Sequence, residues 1–140
     1  MLDTEKLRQI LAKNHTIAVV GLSAKQDRPS YIVAKYMQDH GYRIIPVNPS
    51  YSEVLGETCY PRLSDIPDQV DMVDIFQRAE LVSPIVEEAI TIAAKVVWMQ
   101  MGIVDEAAAA RASAAGLAVV MDRCLMVEHA RLRAGQNFSS

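Results

Sequence analysis

At 140 residues the chain has the length of a single domain. Hydrophobic residues make up 51 % and charged residues 22 %, which supplies a real core and excludes a disordered chain. The net charge of −3, with no basic block, sets nucleic acid aside as an expected partner.

The first segment, MLDTEKLRQILAKN, predicts a helix. Asp3 or Thr4 can cap it, Leu7, Ile10 and Leu11 form its apolar stripe, and Asn14 ends it. It has no continuous apolar core of the signal-peptide kind, and no later run is long enough to cross a bilayer. A cytoplasmic protein without membrane contact is the expectation. The two cysteines, Cys59 and Cys124, are too few for a disulfide scaffold.

A β-branched run predicts a strand from Thr16 to Val20. The chain breaks at Gly21, passes through a polar segment and enters a second helix, with Ser30 expected as its cap and Pro29 just before it. Ile32, Val33, Tyr36 and Met37 share one face, and Gly41 stops the helix. A second strand is predicted over Tyr42–Val47, ended by Asn48-Pro49. Ser50 to Pro61 reads as loop, with a helical turn near Leu63–Ile66. A third strand is expected over Asp71–Phe76, a helix over Val82–Ala94, and a fourth strand over Val96–Met99. An alanine-rich helix at Asp105–Ala115, a fifth strand at Leu117–Met121, a short helix at Met126–Leu132 and a frayed tail complete the chain.

Near-continuous apolar strands alternating with helices predict a parallel sheet covered on both faces. The fold class is α/β: a doubly wound, mostly parallel, five-stranded Rossmann-like sheet in one domain. Ligands in such sheets bind beyond the carboxyl ends of the strands. The strand-one loop is the first candidate. Gly21 lets the backbone approach a phosphate, and the next helix offers free amides and a favourable dipole. Ser23 adds a hydroxyl, and Lys25 and Arg28 add positive charge. The loop lacks the full G-x-G-x-x-G fingerprint, so by itself it does not separate a pyrophosphate site from an ordinary strand–glycine–helix turn. After strand two the chain has Val47, Asn48 and Pro49 where an NAD site wants a carboxylate for the ribose, which disfavours NAD. Phe76, Gln77 and Arg78 end strand three. Gln100, Met101 and Gly102 follow strand four, and Asp122, Arg123 and Cys124 follow strand five.

The blocks GLSAKQDRPSYIVAKYMQDHGYRIIPVNP, VDMVDIF and VVWMQMGIVDEAAAARASAAGLAVVMDRC resemble the small stand-alone CoA-binding proteins, from about Thr16 to Glu128. That family is similar to the N-terminal CoA-binding domain of the succinyl-CoA synthetase α subunit. The resemblance implies a Rossmann-like fold with coenzyme A or a short acyl-CoA over the strand-one loop. It implies a phosphate loop at Gly21, Leu22, Ser23, Ala24 and Lys25, closed by Arg28, Pro29 and Ser30. It places Val47, Asn48, Pro49, Phe76, Gln77 and Arg78 on the adenine side. The pantetheine side would follow Gln100, Gly102 and Ile103. The synthetase loop is richer in glycine, and it has a lysine where this chain has Ser50 and Tyr51. None of His15, His40 and His129 matches the phosphorylated histidine of the synthetase, so ligase activity is not implied.

Other chemistry has weaker support. No His/Cys/Asp cluster has metal spacing, so no metal site is expected. His15 and His40 read as solvated. Cys124, Glu128 and His129 form a catalytic set only with a geometry that sequence does not supply. Asp71 reads as a cap on the strand-three entrance, and Trp98 and Met99 as core. The leading expectation is a CoA-binding protein without catalytic residues. The alternatives are a CoA-dependent transferase, a thiol–disulfide enzyme using Cys124, and an NAD(P)-binding regulatory module. No apolar stripe singles out a partner surface, so a homodimer or another protein partner stays open.

Overall fold

The computed structural model describes residues 3–135; of the tail expected to fray from about Arg133, residues 133–135 continue the last helix and the rest lies outside the described residues. The chain runs through α1 (Thr4–Lys13), β1 (Thr16–Val20), α2 (Pro29–Asp39) and β2 (Arg43–Val47). A small hairpin follows, β3 (Glu53–Val54) and β4 (Glu57–Thr58), then β5 (Met72–Ile75), α3 (Val82–Thr91) and β6 (Val96–Met99). The last elements are α4 (Glu106–Ala114), β7 (Ala118–Val120) and α5 (Leu125–Gly135).

Local chemistry explains most of these bounds. The Asp3 carboxylate accepts from the Lys6 amide and caps α1, and Asp105 caps α4 by accepting from the Ala108 amide. Ser30 does not cap α2. The cap position is Arg28, which makes no side-chain cap bond, and Pro29 opens the helix because it has no N–H to leave unsatisfied. The Ser30 hydroxyl instead accepts from the Ser23 amide at 3.0 Å and ties the helix start back to the loop. The stretch expected as plain loop contains the β3–β4 hairpin, turned at Leu55 and Gly56 with both φ angles positive. α3 stops at Thr91, short of the expected Ala94, because Ala93 takes a left-handed conformation.

The five long strands form one parallel sheet in the order β2-β1-β5-β6-β7. This is a doubly wound α/β sheet of Rossmann-like type. Connections run outward from β1 to β2, then return to the other side of β1 as β5. The topological switch point therefore lies between β1 and β5.

Alternation divides the core. Ile17, Val19, Ile44, Met72, Val96, Trp98 and Val120 pack under α1, α2 and α5. Ala18, Val20, Ile45, Val73, Ile75, Val97 and Met99 pack under α3 and α4. The alanine run serves this second face: Ala108, Ala109 and Ala112 are buried, which lets α4 sit close to the sheet and to α3. Trp98 and Met99 are core residues, as expected, and the indole N–H donates to the Arg123 carbonyl at 2.8 Å. No described helix is long and apolar enough to cross a membrane.

Candidate functional site

At the switch point the end of β1 nearly touches the end of β5. Gly21 has φ +89, and a Cβ there would lie 2.3 Å from the Phe76 carbonyl oxygen. Glycine is required by the backbone conformation and by the neighbouring chain together. The Phe76 carbonyl and the positive φ fix glycine here independently of any phosphate that approaches it. The Gly21 amide is also engaged, donating to the Val47 carbonyl at 2.8 Å.

The rest of the loop is held by its own polar groups. The Ser23 hydroxyl accepts from the Lys25 amide at 3.0 Å, and the Arg28 amide donates to the Lys25 carbonyl. Among the described residues, the amides left without a bond at the start of α2 are those of Ser30 and Tyr31. Tyr51 folds back onto this loop. Its contact with the Ser23 side chain first, the Ala24 backbone next and then the Lys25 and Arg28 charges hold its phenol below the usual value.

Between the loop and α5 lies a cleft of about 710 Å³. Gly21, Ser23, Arg28, Pro29 and Ser30 line it from the β1 side, and Phe76, Gln77 and Arg78 from the end of β5. Gln100 and Ile103 contribute from beyond β6. Ten of the residues expected from sequence therefore meet in one cleft. Met101 and Cys124, named among the strand-end candidates but not among the expected CoA contacts, also line it, and the sequence reading missed Val33 and Val127 in its wall. Met101 is 66 % exposed and Val127 47 %, so the mouth of the cleft is apolar.

The other expected residues lie elsewhere. The Leu22 side chain is fully buried in the core and offers a ligand no surface. Ala24 and Lys25 are exposed on the outer side of the loop. Val47 is buried, and together with Pro49 and Gln77 it lines a separate cavity of about 250 Å³ toward α3. Asn48 is a structural pin: its Nδ2 donates to the Leu22 carbonyl at 3.0 Å and its Oδ1 accepts from the Ser50 amide at 2.9 Å. Gly102 is exposed, and its amide donates to the Asp122 carboxylate at 2.7 Å.

The other chemically interesting side chains are distributed as follows. Cys124 is a free, half-buried thiol on the cleft wall, whereas Cys59 is buried, with burial pushing its thiol up. His129 is buried, and its Nδ1 lies 2.9 Å from the Tyr36 hydroxyl. Burial first, then the neighbouring His40 and Arg133, lower it to about 4, so it is a neutral core group. His40 is not solvated as expected; it is half-buried and stacked on Tyr36 with ring centroids 4.0 Å apart. Asp71 does cap the strand entrance, accepting from the His15 and Thr16 amides. Among the described residues, no group of three or more His, Cys, Asp or Glu side chains is placed to hold a metal ion.

Uncommitted amides and basic side chains beside a partly apolar cleft at a switch point stand where open α/β sheets bind their ligands. The model of the CoA binding domain family matches residues 15–130. The chain belongs to the CoA-binding domain family. A stand-alone relative, the uncharacterized protein YneT of Bacillus subtilis, is 42 % identical over 125 residues, 89 % of this chain and 93 % of that protein. A hypothetical protein from Pyrococcus horikoshii OT3 has the same fold, with a TM-score of 0.91 and 47 % identity over 94 % of this chain and 92 % of its own. The family's domain also occurs within larger proteins. Acetate–CoA ligase [ADP-forming] II of Archaeoglobus fulgidus is 35 % identical over 75 residues, which is 52 % of this chain and 11 % of the ligase.

Proposed function

We propose that this CoA-binding domain binds coenzyme A or a short acyl-CoA in the cleft at the switch point, and carries no ligase chemistry within these residues. Membership of the family supports CoA binding in general. The observation that supports this particular placement is the mixed lining of the cleft, which joins Arg28, Arg78 and the uncommitted amide of Ser30 to the apolar Val33, Met101, Ile103 and Val127. The diphosphate belongs at the start of α2, where helix dipole and guanidinium charge add. The pantetheine arm runs along Gln100 and Ile103 toward Cys124. The adenine turns toward Gln77, which lines both the cleft and the smaller cavity beside Pro49. Tyr51, where the synthetase has a lysine, brings a phenol beside Ser23 rather than a positive charge.

The test is calorimetric titration with CoA, dephospho-CoA, acetyl-CoA and NAD in parallel. The expected result is tight CoA binding, weaker dephospho-CoA binding and no NAD binding. Equal binding of NAD and CoA, or no CoA binding, overturns the proposal. An enzyme reading has one observation in its favour, the Cys124 thiol on the cleft wall. It predicts turnover that Cys124→Ser removes while CoA affinity stays.

A further inference from the structure

Asp74 lies in the interior of β5 and is 0 % exposed. Its register neighbours are Val19 on β1 and Trp98 on β6. An apolar side chain would be buried there without penalty, whereas a carboxyl has to be held. Its Oδ1 accepts a 2.7 Å hydrogen bond from Gln100 Nε2, and its Oδ2 has no partner among the described residues. Gln100 is the cleft residue, and its Oε1 faces the Leu125 amide at 3.4 Å, at the start of α5.

These two neighbours make opposite demands on the Gln100 amide. An ionised Asp74 only accepts, and the Leu125 backbone N–H only donates. One of the two amide orientations satisfies both, and the flipped one satisfies neither. One N–H and one carbonyl lone pair of Gln100, a buried residue of the cleft lining, are then left over in a fixed orientation. The pantetheine arm of CoA carries amides, which need a donor and an acceptor of that kind.

We infer that Asp74 is a positioning residue of the cleft: it holds the Gln100 amide in one orientation for the amides of a bound CoA, and its ionisation sets how firmly. The inference rests on the CoA reading above. When Asp74 takes up a proton, the charge-assisted bond gives way to a neutral one and the carboxyl can donate, so the flipped amide regains a partner in Asp74 and is penalised only at the Leu125 N–H. Burial, against a smaller opposing effect of Gln100, raises the group to about 7, so both forms are populated near neutrality. No charged side chain bonds to it among the described residues. On the helices covering this face, Tyr36 pairs with His129, His40 with the Tyr36 carbonyl, and Glu128 with Arg123 and Arg131. On α1, Arg8 pairs with Glu5. The ionised form is the aligned one, so affinity rises with pH.

The experiment titrates CoA and dephospho-CoA into the wild-type protein and Asp74→Asn across neutral pH. The Gln100 side-chain amide is followed by NMR in the ligand-free proteins. Both proteins share the titration of the ligand's own phosphate, so it cancels in the comparison. The expected result is a wild-type affinity that rises about tenfold, relative to the variant, through the Asp74 transition. The wild-type Gln100 amide moves with a midpoint of about 7 and the variant's does not. If Asp74→Asn does not fold, Gln100→Leu replaces it and must lose the same pH dependence. An amide that does not titrate overturns the inference, whether or not CoA binds. So does an amide that titrates while wild type and variant share one affinity profile. An amide that titrates in a protein that binds no CoA overturns the CoA reading and with it the ligand half of the inference, but leaves Asp74 as the group that orients Gln100.

Discussion

The two ends of the sheet are closed in opposite ways. At the amino ends of the strands the polar groups satisfy one another. Asp71 accepts from the His15 and Thr16 amides, the Tyr42 hydroxyl donates to the Leu11 carbonyl at 2.7 Å, and Asn14 Nδ2 donates to the Ile10 carbonyl at 2.8 Å. The His15 ring stacks on Tyr42. At the carboxyl ends the chain leaves a 710 Å³ cleft, uncommitted amides on α2, exposed Met101 and Val127, and an orphan carboxylate oxygen on Asp74. Satisfied hydrogen bonds hold the first end together, whereas the second keeps donors and apolar surface for something else. The difference teaches where a substitution should act on stability and where on binding.

The largest effect should come from the position that belongs to both. Gly21→Val places a Cβ against the Phe76 carbonyl at a positive φ. It should lower stability by about 3 kcal/mol or more and abolish CoA binding, measured by urea unfolding and calorimetry. Normal stability in that variant would break the account of the switch point.

Asp71→Ala acts at the closed end alone. It should remove about 1–3 kcal/mol of stability by stranding two amides, while CoA affinity stays within about twofold. A loss of affinity without a loss of stability would erase the distinction between the ends.

Stability against pH separates two buried groups with opposite signs. Asp74 is raised from 3.8 to about 7, so the native state holds its proton longer than the unfolded chain. Its contribution is complete below the lower value and is lost as pH rises through the higher one. His129 is lowered from 6.5 to about 4, so its contribution is present above 6.5 and is lost as pH falls toward 4. Asp74→Asn should therefore gain stability relative to wild type as pH rises toward 8. Thermal melts at a series of pH values give the answer, and a difference that does not change with pH would mean that Asp74 is not raised.

At the open end, the double variant Arg28→Ala with Arg78→Ala should weaken CoA binding by about tenfold or more at low salt, with the melting temperature unchanged. A drop in melting temperature of several degrees would place these exposed side chains in the fold instead. The smallest effect expected is that of Cys124→Ser, with CoA affinity within about twofold of wild type. A larger loss would give the thiol a direct part in holding the ligand.

How much of this was legible in the sequence differs by feature. β1 and β6 lie where their apolar runs place them, because a parallel strand buried on both faces leaves a continuous signal that Gly21 and Lys95 interrupt cleanly. The β3–β4 hairpin was not legible. Its strands have two residues each, and its turn places Leu55 at a positive φ, which no turn preference announces. Ten of the expected site residues meet in the cleft because strand ends of a parallel sheet share one edge, so order along the chain gives position along that edge. Leu22, Val47 and Asn48 sit in the same loops but turn inward, and an aligned block does not say which way a side chain faces. Val33 had helical spacing and read as ordinary apolar face, and Val127 lay in the last helix without a reading of its own; only the packing of α2 and α5 over the sheet makes them cleft wall.

The sequence by itself determined the fold class, the strand ends that line the cleft, and the resemblance to the CoA-binding family, because periodicity and motif order are local properties of the chain. Tertiary structure decided which reading applies to single polar residues. Gly21 answers to the Phe76 carbonyl, Asn48 to the Leu22 carbonyl, and Asp74 to an amide on another strand. Each of those partners lies 26 or more residues away along the chain. The energy of a buried polar group depends on the one neighbour that satisfies it, and only folding brings that neighbour within reach.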